Sequence, residues 1–337
     1  MNDTHYMQRC IDLAKKGLGY TYPNPLVGCV IVHKGKIIAE GWHKKAGQYH
    51  AEREAILKIN DPAVLKESTL YVNLEPCNHH GKTPPCSDLI VEMNIPKVVI
   101  GCLDENKIVH GRGVAKLKSI GCEVKTGVLE AECRKLNCRF FHFHQKKRPY
   151  IILKWAESAD GFIAPKNSDE QYWLTHHLSK QRVHQWRSQE QAIMIGVQTA
   201  IADNPKLNTR LWVGNDPIPV VIDPNQRLSD IKEKRNLDRE KIITVPETPH
   251  KEEEGKNGLT PHEISDQLYE RGIQSVIIEG GTKSLQHFID ARLWDEARIF
   301  ITPKILGGGL KGPVIENLET PHNTRIKEDR LVTLYND

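Results

Sequence analysis

His50-Ala51-Glu52, Pro76-Cys77 and Cys86 are the residues of this chain best suited to chemistry. One imidazole and two thiolates make a three-ligand set for zinc, and a fourth position left to water distinguishes catalytic from structural zinc. Zinc lowers the pKa of such a water toward ~7, which makes it a nucleophile at neutral pH. Glu52 lies two residues past the histidine on the same predicted helical turn, placed to move protons without binding metal. A structural knuckle would need a fourth protein ligand, which His79 or His80 could supply, and would have no use for that acid. Beside the ligands, His79, His80 and Lys82 read as a phosphate pocket, with Gly81 allowing close backbone approach. Cys133, Cys138, His142 and His144 imitate a second metal set. Positions 133 and 138 are five apart on a predicted helix and point to different faces, so they read as structural.

The second half carries a different signal. Ser275–Glu279 is an apolar strand that runs into Gly280-Gly281-Thr282 and then a helical pattern, a junction that offers backbone N–H groups to an anion such as a cofactor phosphate. Gly307-Gly308-Gly309 follows another strong strand. Neither a G-x-G-x-x-G nor a Walker motif is present.

The elements that must position these groups alternate. Met7, Cys10, Ile11, Ala14 and Leu18 recur at helical spacing, and Val27–His33 with Lys36–Gly41 reads as a hairpin about Lys34-Gly35. His50–Ile59 is helical, Thr69–Leu74 a strand, Cys86–Met93 a short helix and Pro96–Leu103 a strand. Val114–Ile120 and Glu130–Phe140 read as helices around a short strand at Glu123–Thr126. The polar stretch His142–Pro149 is the expected linker, dividing domains at 1–145 and 146–337. Beyond it, strands are expected at Tyr150–Ala156, Gln191–Gly196, Ile218–Asp223, Lys241–Val245, Gln274–Glu279 and Ala297–Thr302. Helices are expected at Ser179–Gln189, His262–Arg271 and Lys283–Ala291, and a surface loop at Glu247–Gly258. Such alternation predicts α/β domains with helices covering a sheet.

Composition agrees. At 337 residues the chain is long enough for two cores, and 39% hydrophobic with 27% charged residues excludes a disordered or collagen-like chain. The net charge of +4 arises in the first half, which suits a phosphorylated small molecule and lacks the dense basic stripe of a nucleic-acid reader. The longest early apolar run, Leu26–Val32, is far below a membrane span, and Asp3 and Asp12 sit where a signal peptide would be basic or apolar. We therefore expect a cytoplasmic protein that binds no membrane. Eight cysteines in such a chain favour metal binding or burial over disulfides, with Cys10, Cys29, Cys102 and Cys122 in the core.

The H-x-E…P-C…C pattern is that of zinc deaminases, except that eight residues rather than two separate the cysteines. That loop, Glu75-Pro-Cys-Asn-His-His-Gly-Lys-Thr-Pro-Pro-Cys86, closely resembles the signature of the bifunctional deaminase/reductases of riboflavin biosynthesis. Pro23-Asn24-Pro25, Val27-Gly28 and Gly41-Trp42-His43 resemble it too. In the second half, Lys154-Trp-Ala156-Glu-Ser158-Ala-Asp160-Gly161, the run Gly196 to Arg210 and Glu279-Gly-Gly281 resemble the reductase motifs.

The resemblance implies a cytidine-deaminase-like αβα sandwich followed by a dihydrofolate-reductase-like α/β domain. It implies zinc on His50, Cys77 and Cys86, Glu52 as the catalytic acid and base, and a diaminopyrimidine ribosyl phosphate as substrate. Asn24 and His43 would hold the pyrimidine, while His79, Lys82, Asp104 and Asn106 would contact the rest of the substrate. NADPH would be lined by Ala156, Trp173, Thr199, Asp203, Gly281 and Thr282. Gln171, Arg187, Leu207, Arg210 and Glu279 would hold the reductase substrate. Self-association of identical chains is also expected. Two rivals make other predictions: a nucleic-acid base deaminase would need exposed aromatics, yet aromatics are 6%, and a decayed reductase would leave only a nucleotide-binding module.

Overall fold

The computed structural model describes residues 2–79, 84–105, 110–166, 172–228, 242–246, 259–316 and 321–336. The chain divides into two compact units, Met1–Lys147 and Arg148–Asp337. No helix among the described residues is long and apolar enough to cross a membrane.

In the first unit, α1 (Asp3–Ala14) precedes the hairpin β1 (Gly28–His33) and β2 (Lys36–Trp42). Then come α2 (Ala51–Ile56), β3 (Ser68–Leu74), α3 (Cys86–Glu92), β4 (Lys97–Cys102), α4 (Arg112–Ser119), β5 (Glu123–Lys125), α5 (Glu130–Leu136) and α6 (Cys138–Lys146). The sheet order is β2-β1-β3-β4-β5, antiparallel at the hairpin side and parallel from β3 onward. Side chains alternate across it as the pleat dictates. Cys29, Ile31, Val72 and Ile100 pack with residues of α2, α3 and α4, while Val30, Val32, Tyr71 and Val99 pack with α1 and Phe140 and Phe141 of α6. That is a three-layer sandwich. Helix α1 lies so close to β1 that a Cβ on Gly28 would stand 2.1 Å from the Cys10 carbonyl oxygen.

Two buried asparagines fix the segment entering β1. Asn73 Oδ1 accepts from the Gly28 N–H (2.7 Å) and its amide donates to the Leu26 carbonyl (3.0 Å). Asn137 accepts from the Leu26 N–H (2.8 Å) and donates to the same carbonyl. Asn73→Ala strands the Gly28 N–H, so a loss of about 1–3 kcal/mol is expected in chemical denaturation. An unchanged midpoint would show that water replaces the side chain there.

The second unit runs β6 (Tyr150–Glu157), β7 (Phe162–Pro165), α7 (His177–Gln189), β8 (Ala192–Gly196), α8 (Val197–Asp203), β9 (Ile218–Ile222) and β10 (Ile243–Val245). It continues with α9 (Pro261–Glu270), β11 (Ser275–Ile278), α10 (Thr282–Asp290), β12 (Glu296–Ile301), β13 (Gly309–Lys311), β14 (His322–Ile326) and β15 (Asp329–Tyr335). The main sheet order is β10-β9-β8-β11-β6-β12-β15-β14, parallel from β10 to β12 and closed by two antiparallel strands. Its core is built on Ile151, Leu153, Met194, Val276 and Ile278, with Leu285 and Phe288 of α10 packed against them.

Two sequence expectations need correction. The expected linker His142–Pro149 contains the boundary between the units, after Lys147, but its first part is helical as far as Lys146, because α6 buries Phe140 and Phe141 on one face and leaves its polar residues on the other. The expected helix Glu130–Phe140 is two helices, broken at Asn137, whose side chain is drawn to Leu26. Strands β7, β13, β14 and β15 and helix α8 were not anticipated. The expected loop Glu247–Gly258 and the start of the strand at Lys241 lie outside the described residues.

Candidate active sites

In the first unit the metal ligands come from two helix starts and the end of a strand. His50 is the N-cap of α2, Cys86 opens α3, and Cys77 lies three residues beyond β3. His50 Nδ1 is 3.5 Å from Cys77 Sγ and 3.5 Å from Cys86 Sγ. Zn–N of about 2.0 Å and Zn–S of about 2.3 Å at a tetrahedral angle place N and S about 3.5 Å apart. The donor set therefore fits zinc. His50, Cys77 and Cys86 are the only such cluster among the described residues; His79 is exposed and no part of it, and His80 lies outside them.

The electrostatics of the ligands are lopsided before metal arrives. Hydrogen bonds from Cys86 and His50 pull the Cys77 thiol down to about 4, against its burial. The same ionised sulfur, together with burial, holds Cys86 well above the usual thiol range, and the Cys77 contact raises His50. The Cys86 backbone N–H also donates to Cys77 Sγ at 3.3 Å. Glu52, on the first turn of α2, is 3% exposed, and its Oε2 is buried without a hydrogen-bond partner. Burial, then the Cys77 charge, raises its carboxyl to about 7.

His50, Glu52 and Cys77 line a cavity of about 340 Å³ that also takes in Asn24, His43, His79 and Asp104. His43 is almost fully buried, and burial lowers its pKa. One ring nitrogen faces the Tyr49 carbonyl (3.0 Å) and the other the Asn24 amide nitrogen (3.0 Å), which assigns the neutral tautomer with Nδ1–H donating and Nε2 accepting. Lys82 and Asn106 lie outside the described residues.

Sequence reasoning gave Glu75 no role, yet its buried carboxylate accepts from three backbone N–H groups. They are those of Asp104 (3.3 Å), Gly111 (2.9 Å) and Val114 (3.1 Å). It thus ties the loop bearing Asp104 to the strand end bearing Cys77. No local pattern signals this, because the donors are about thirty to forty residues away.

In the second unit, some of the expected residues meet. Glu279 follows β11 and forms a bidentate pair with Arg187 of α7 (2.9 and 2.8 Å), with Lys154 of β6 at 3.6 Å. Burial alone would raise the Glu279 carboxyl, but Arg187 and Lys154 carry it down to about 2. Arg187 also donates to the Asn208 carbonyl (3.1 Å), between Leu207 and Thr209. Leu207 is buried with φ +50°, and Arg210 donates to the Asn208 side chain (3.1 Å).

Gly280 (φ +143°) and Gly281 (φ +67°) form the turn into α10, and a Cβ on either would stand 3.1 Å from the Thr199 side chain. Both the positive φ angles and that crowding disfavour any residue with a side chain here. Thr282 Oγ1 donates to the Lys311 carbonyl (2.8 Å). Ala156 is half-buried near the end of β6, Asp203 is exposed at the end of α8, and Trp173 is exposed before α7. Gln171 lies outside the described residues.

A zinc-deaminase sandwich and a separate α/β unit with a glycine turn at its strand ends define a two-domain deaminase–reductase. The comparisons make it particular. The family model for the cytidine and deoxycytidylate deaminase zinc-binding region matches residues 1–102, and that for the RibD C-terminal domain matches 149–337. Riboflavin biosynthesis protein RibD of Actinobacillus pleuropneumoniae is 40% identical, with 98% of this chain and 93% of that protein covered. RibD of Aquifex aeolicus is 38% identical, covering 91% and 89%. The crystal structure of a diaminohydroxyphosphoribosylaminopyrimidine deaminase/5-amino-6-(5-phosphoribosylamino)uracil reductase from Thermotoga maritima superposes with a TM-score of 0.86 at 37% identity over 99% of each chain. The chain belongs to the RibD family, the bifunctional deaminase/reductases of riboflavin biosynthesis.

Proposed function

We propose that the first unit deaminates 2,5-diamino-6-ribosylamino-4(3H)-pyrimidinone 5′-phosphate at the carbon bearing the 2-amino group, and that the second reduces the ribosyl group of the product to ribityl. The observation that carries the reading is His50, Cys77 and Cys86 at zinc-binding separations beside a buried, unpartnered Glu52 oxygen. Zinc held by these three ligands would supply Lewis acidity toward a water in the remaining position.

In this reading Glu52 Oε2 takes a proton from the attacking water and gives it to the ring nitrogen as the C–O bond forms, then relays the proton of the added hydroxyl to the amino nitrogen as the C–N bond breaks, leaving the carbonyl product and ammonia. Its burial and raised pKa suit a group that must both accept and release a proton near neutral pH. Asn24 and His43 hold the pyrimidine, with His43 fixed as a neutral ring by its two partners. His79, Lys82, Asp104 and Asn106 are assigned to contact the substrate, several of them near its ribose phosphate. The location is one where two catalytic thiols stay reduced, the cytoplasm.

NADPH, when bound, supplies the hydride for C1′ of the ribosylamino group. Ala156, Trp173, Thr199, Asp203, Gly281 and Thr282 line it. Gln171, Arg187, Leu207, Arg210 and Glu279 hold the substrate, with Glu279 orienting Arg187 and leaving other guanidinium N–H groups for the phosphate.

Metal analysis combined with ammonia and NADPH assays on the diaminopyrimidine phosphate tests the reading. One zinc per chain, ammonia release and subsequent NADPH oxidation are expected; zinc-loaded protein that releases no ammonia would overturn it. Both sulfurs must be ionised to bind zinc, and Cys86 starts protonated, so zinc uptake releases protons. Zinc affinity is expected to fall roughly tenfold per pH unit for each proton displaced. Chelator competition between pH 8 and 6 checks this, and a flat profile would contradict it.

A further inference from the structure

We propose that Arg134 is a positioning residue of the deaminase cavity: by holding Glu105 it fixes the backbone at Asp104, and so sets the affinity for the substrate rather than the rate of the chemical step. The inference deepens the deaminase reading and rests on it. Asp104 lies two residues beyond β4, is 5% exposed and lines the cavity. Glu105 and Arg134 are not among the residues that line it. What this pair contributes to binding therefore passes through the neighbouring Asp104.

Asp104 is gripped on both sides of its backbone. Its N–H donates to Glu75 Oε2 (3.3 Å), and its carbonyl accepts from His110 Nδ1 (2.6 Å). The next residue, Glu105, accepts from Arg134 Nη1 through a carboxylate whose side chain is only 17% exposed. Burial would raise the Glu105 carboxyl, but Arg134 and Gln145 hold it below its ordinary value, so it stays charged.

An ordinary exposed ion pair would do little here, since solvent screens it and two long side chains lose entropy to form it. Arg134 differs because it is ordered by other contacts as well. Its Nε donates to Glu130 Oε1 (3.0 Å) one turn back on α5, and its guanidinium lies 5.7 Å from the centre of the Phe141 ring. Helix α5 is itself seated on β4: a Cβ on Gly101 would stand 2.4 Å from Sγ of Cys133, the residue before Arg134. The anchor thus runs from β4 through α5 and back to the segment that leaves β4. A displacement of about 1 Å at a substrate-positioning group can cost about 10²-fold in efficiency. His50, Glu52, Cys77 and Cys86 are placed by α2, α3 and the end of β3, so loosening Glu105 leaves them where they are. Binding lost equally in the ground state and the transition state appears in KM and not in kcat.

Steady-state ammonia release by the zinc-loaded full chain tests this. Arg134→Met and Glu105→Gln are each expected to raise KM for the diaminopyrimidine phosphate roughly tenfold, with kcat within about twofold of wild type. The double variant should be no worse than either single one, because both break the same link. Arg134→Lys, which keeps the charge, should recover most of the affinity. Glu130→Gln, which keeps an acceptor for Arg134 but removes the second carboxylate, should leave KM as in wild type. A pair that only stabilises the fold would instead lower the unfolding midpoint with KM unchanged. That result, additive losses in the double variant, or a fall in kcat at unchanged KM overturns the proposal. Calorimetric titration of the substrate into Glu52→Gln protein, with and without Arg134→Met, reads the same affinity without turnover. If wild type releases no ammonia, the deaminase reading fails by itself. The positioning role then rests on this titration: weaker binding with Arg134→Met supports it, and equal or absent binding overturns it.

Discussion

Glu52→Gln is expected to lower the rate of ammonia release by about 10²–10⁴-fold or more, the range that a positioned acid–base group contributes. Glutamine keeps the shape of the side chain, so the cavity and the start of α2 are preserved. It cannot take up and return a proton at Oε2, the atom that stands buried and unpartnered beside the ligands. Because Glu52 is no part of the His50–Cys77–Cys86 cluster, bound zinc should remain at the wild-type ratio. NADPH oxidation on the already deaminated pyrimidine should also be unchanged, since the reductase residues belong to the other unit. Three measurements on one preparation decide this: metal content, ammonia release and NADPH consumption. Retained deamination would remove Glu52 from the chemistry, and loss of both activities together would argue against two independent sites.

How much of this could be read from the letters depends on whether a residue carries its role alone. His50, Glu52, Cys77 and Cys86 are legible because imidazole, carboxylate and thiol have few other reasons to be spaced so. The sheet strands with unbroken apolar runs, such as Val98–Ile100 and Ile193–Ile195, are legible for the same reason. The stretch His142–Pro149 does hold the boundary between the units, but its first residues were missed as the end of α6, because His, Gln and Lys dominate them whereas Phe140 and Phe141 decide the packing of that helix. Strand β14 gives no signal, since as an edge strand it buries none of its residues and shows no alternation. Strand β7 is half-buried along its length and equally silent. Buried polar residues are the least legible class. Asn73, Glu75 and Asn137 do their work on backbone groups far away in sequence, so nothing local marks them. The same holds for the pairing of Glu279 with Arg187, which are 92 residues apart and were read singly as substrate contacts.

That pairing yields the largest expected effect on stability. Glu279, Arg187 and Lys154 have side chains 7%, 13% and 16% exposed, so their charges balance one another away from water. Glu279→Gln keeps the volume but leaves two buried cations facing a neutral amide, and breaking a buried pair from one side costs about 3–5 kcal/mol. Against a total of about 5–15 kcal/mol for a typical domain, that is a severe loss. It should appear in denaturation of the second unit and lower NADPH oxidation, while ammonia release by the first unit continues. The pH dependence has a definite sign. The Glu279 carboxyl sits at about 2 in the folded chain and near 4.3 when unfolded. Its contribution is therefore complete above about pH 4.3 and disappears as the pH falls toward 2. The gap between wild type and variant should be constant from pH 7 to 5, narrow below about pH 4.3 and close only as the pH nears 2. Arg187→Met in the Glu279→Gln background should cost less than the two single losses added, because the second change removes one of the cations left exposed to the low-dielectric interior. Additive losses, or a gap that does not narrow between pH 5 and pH 2, would mean that the carboxylate charge is not what holds these strand ends together.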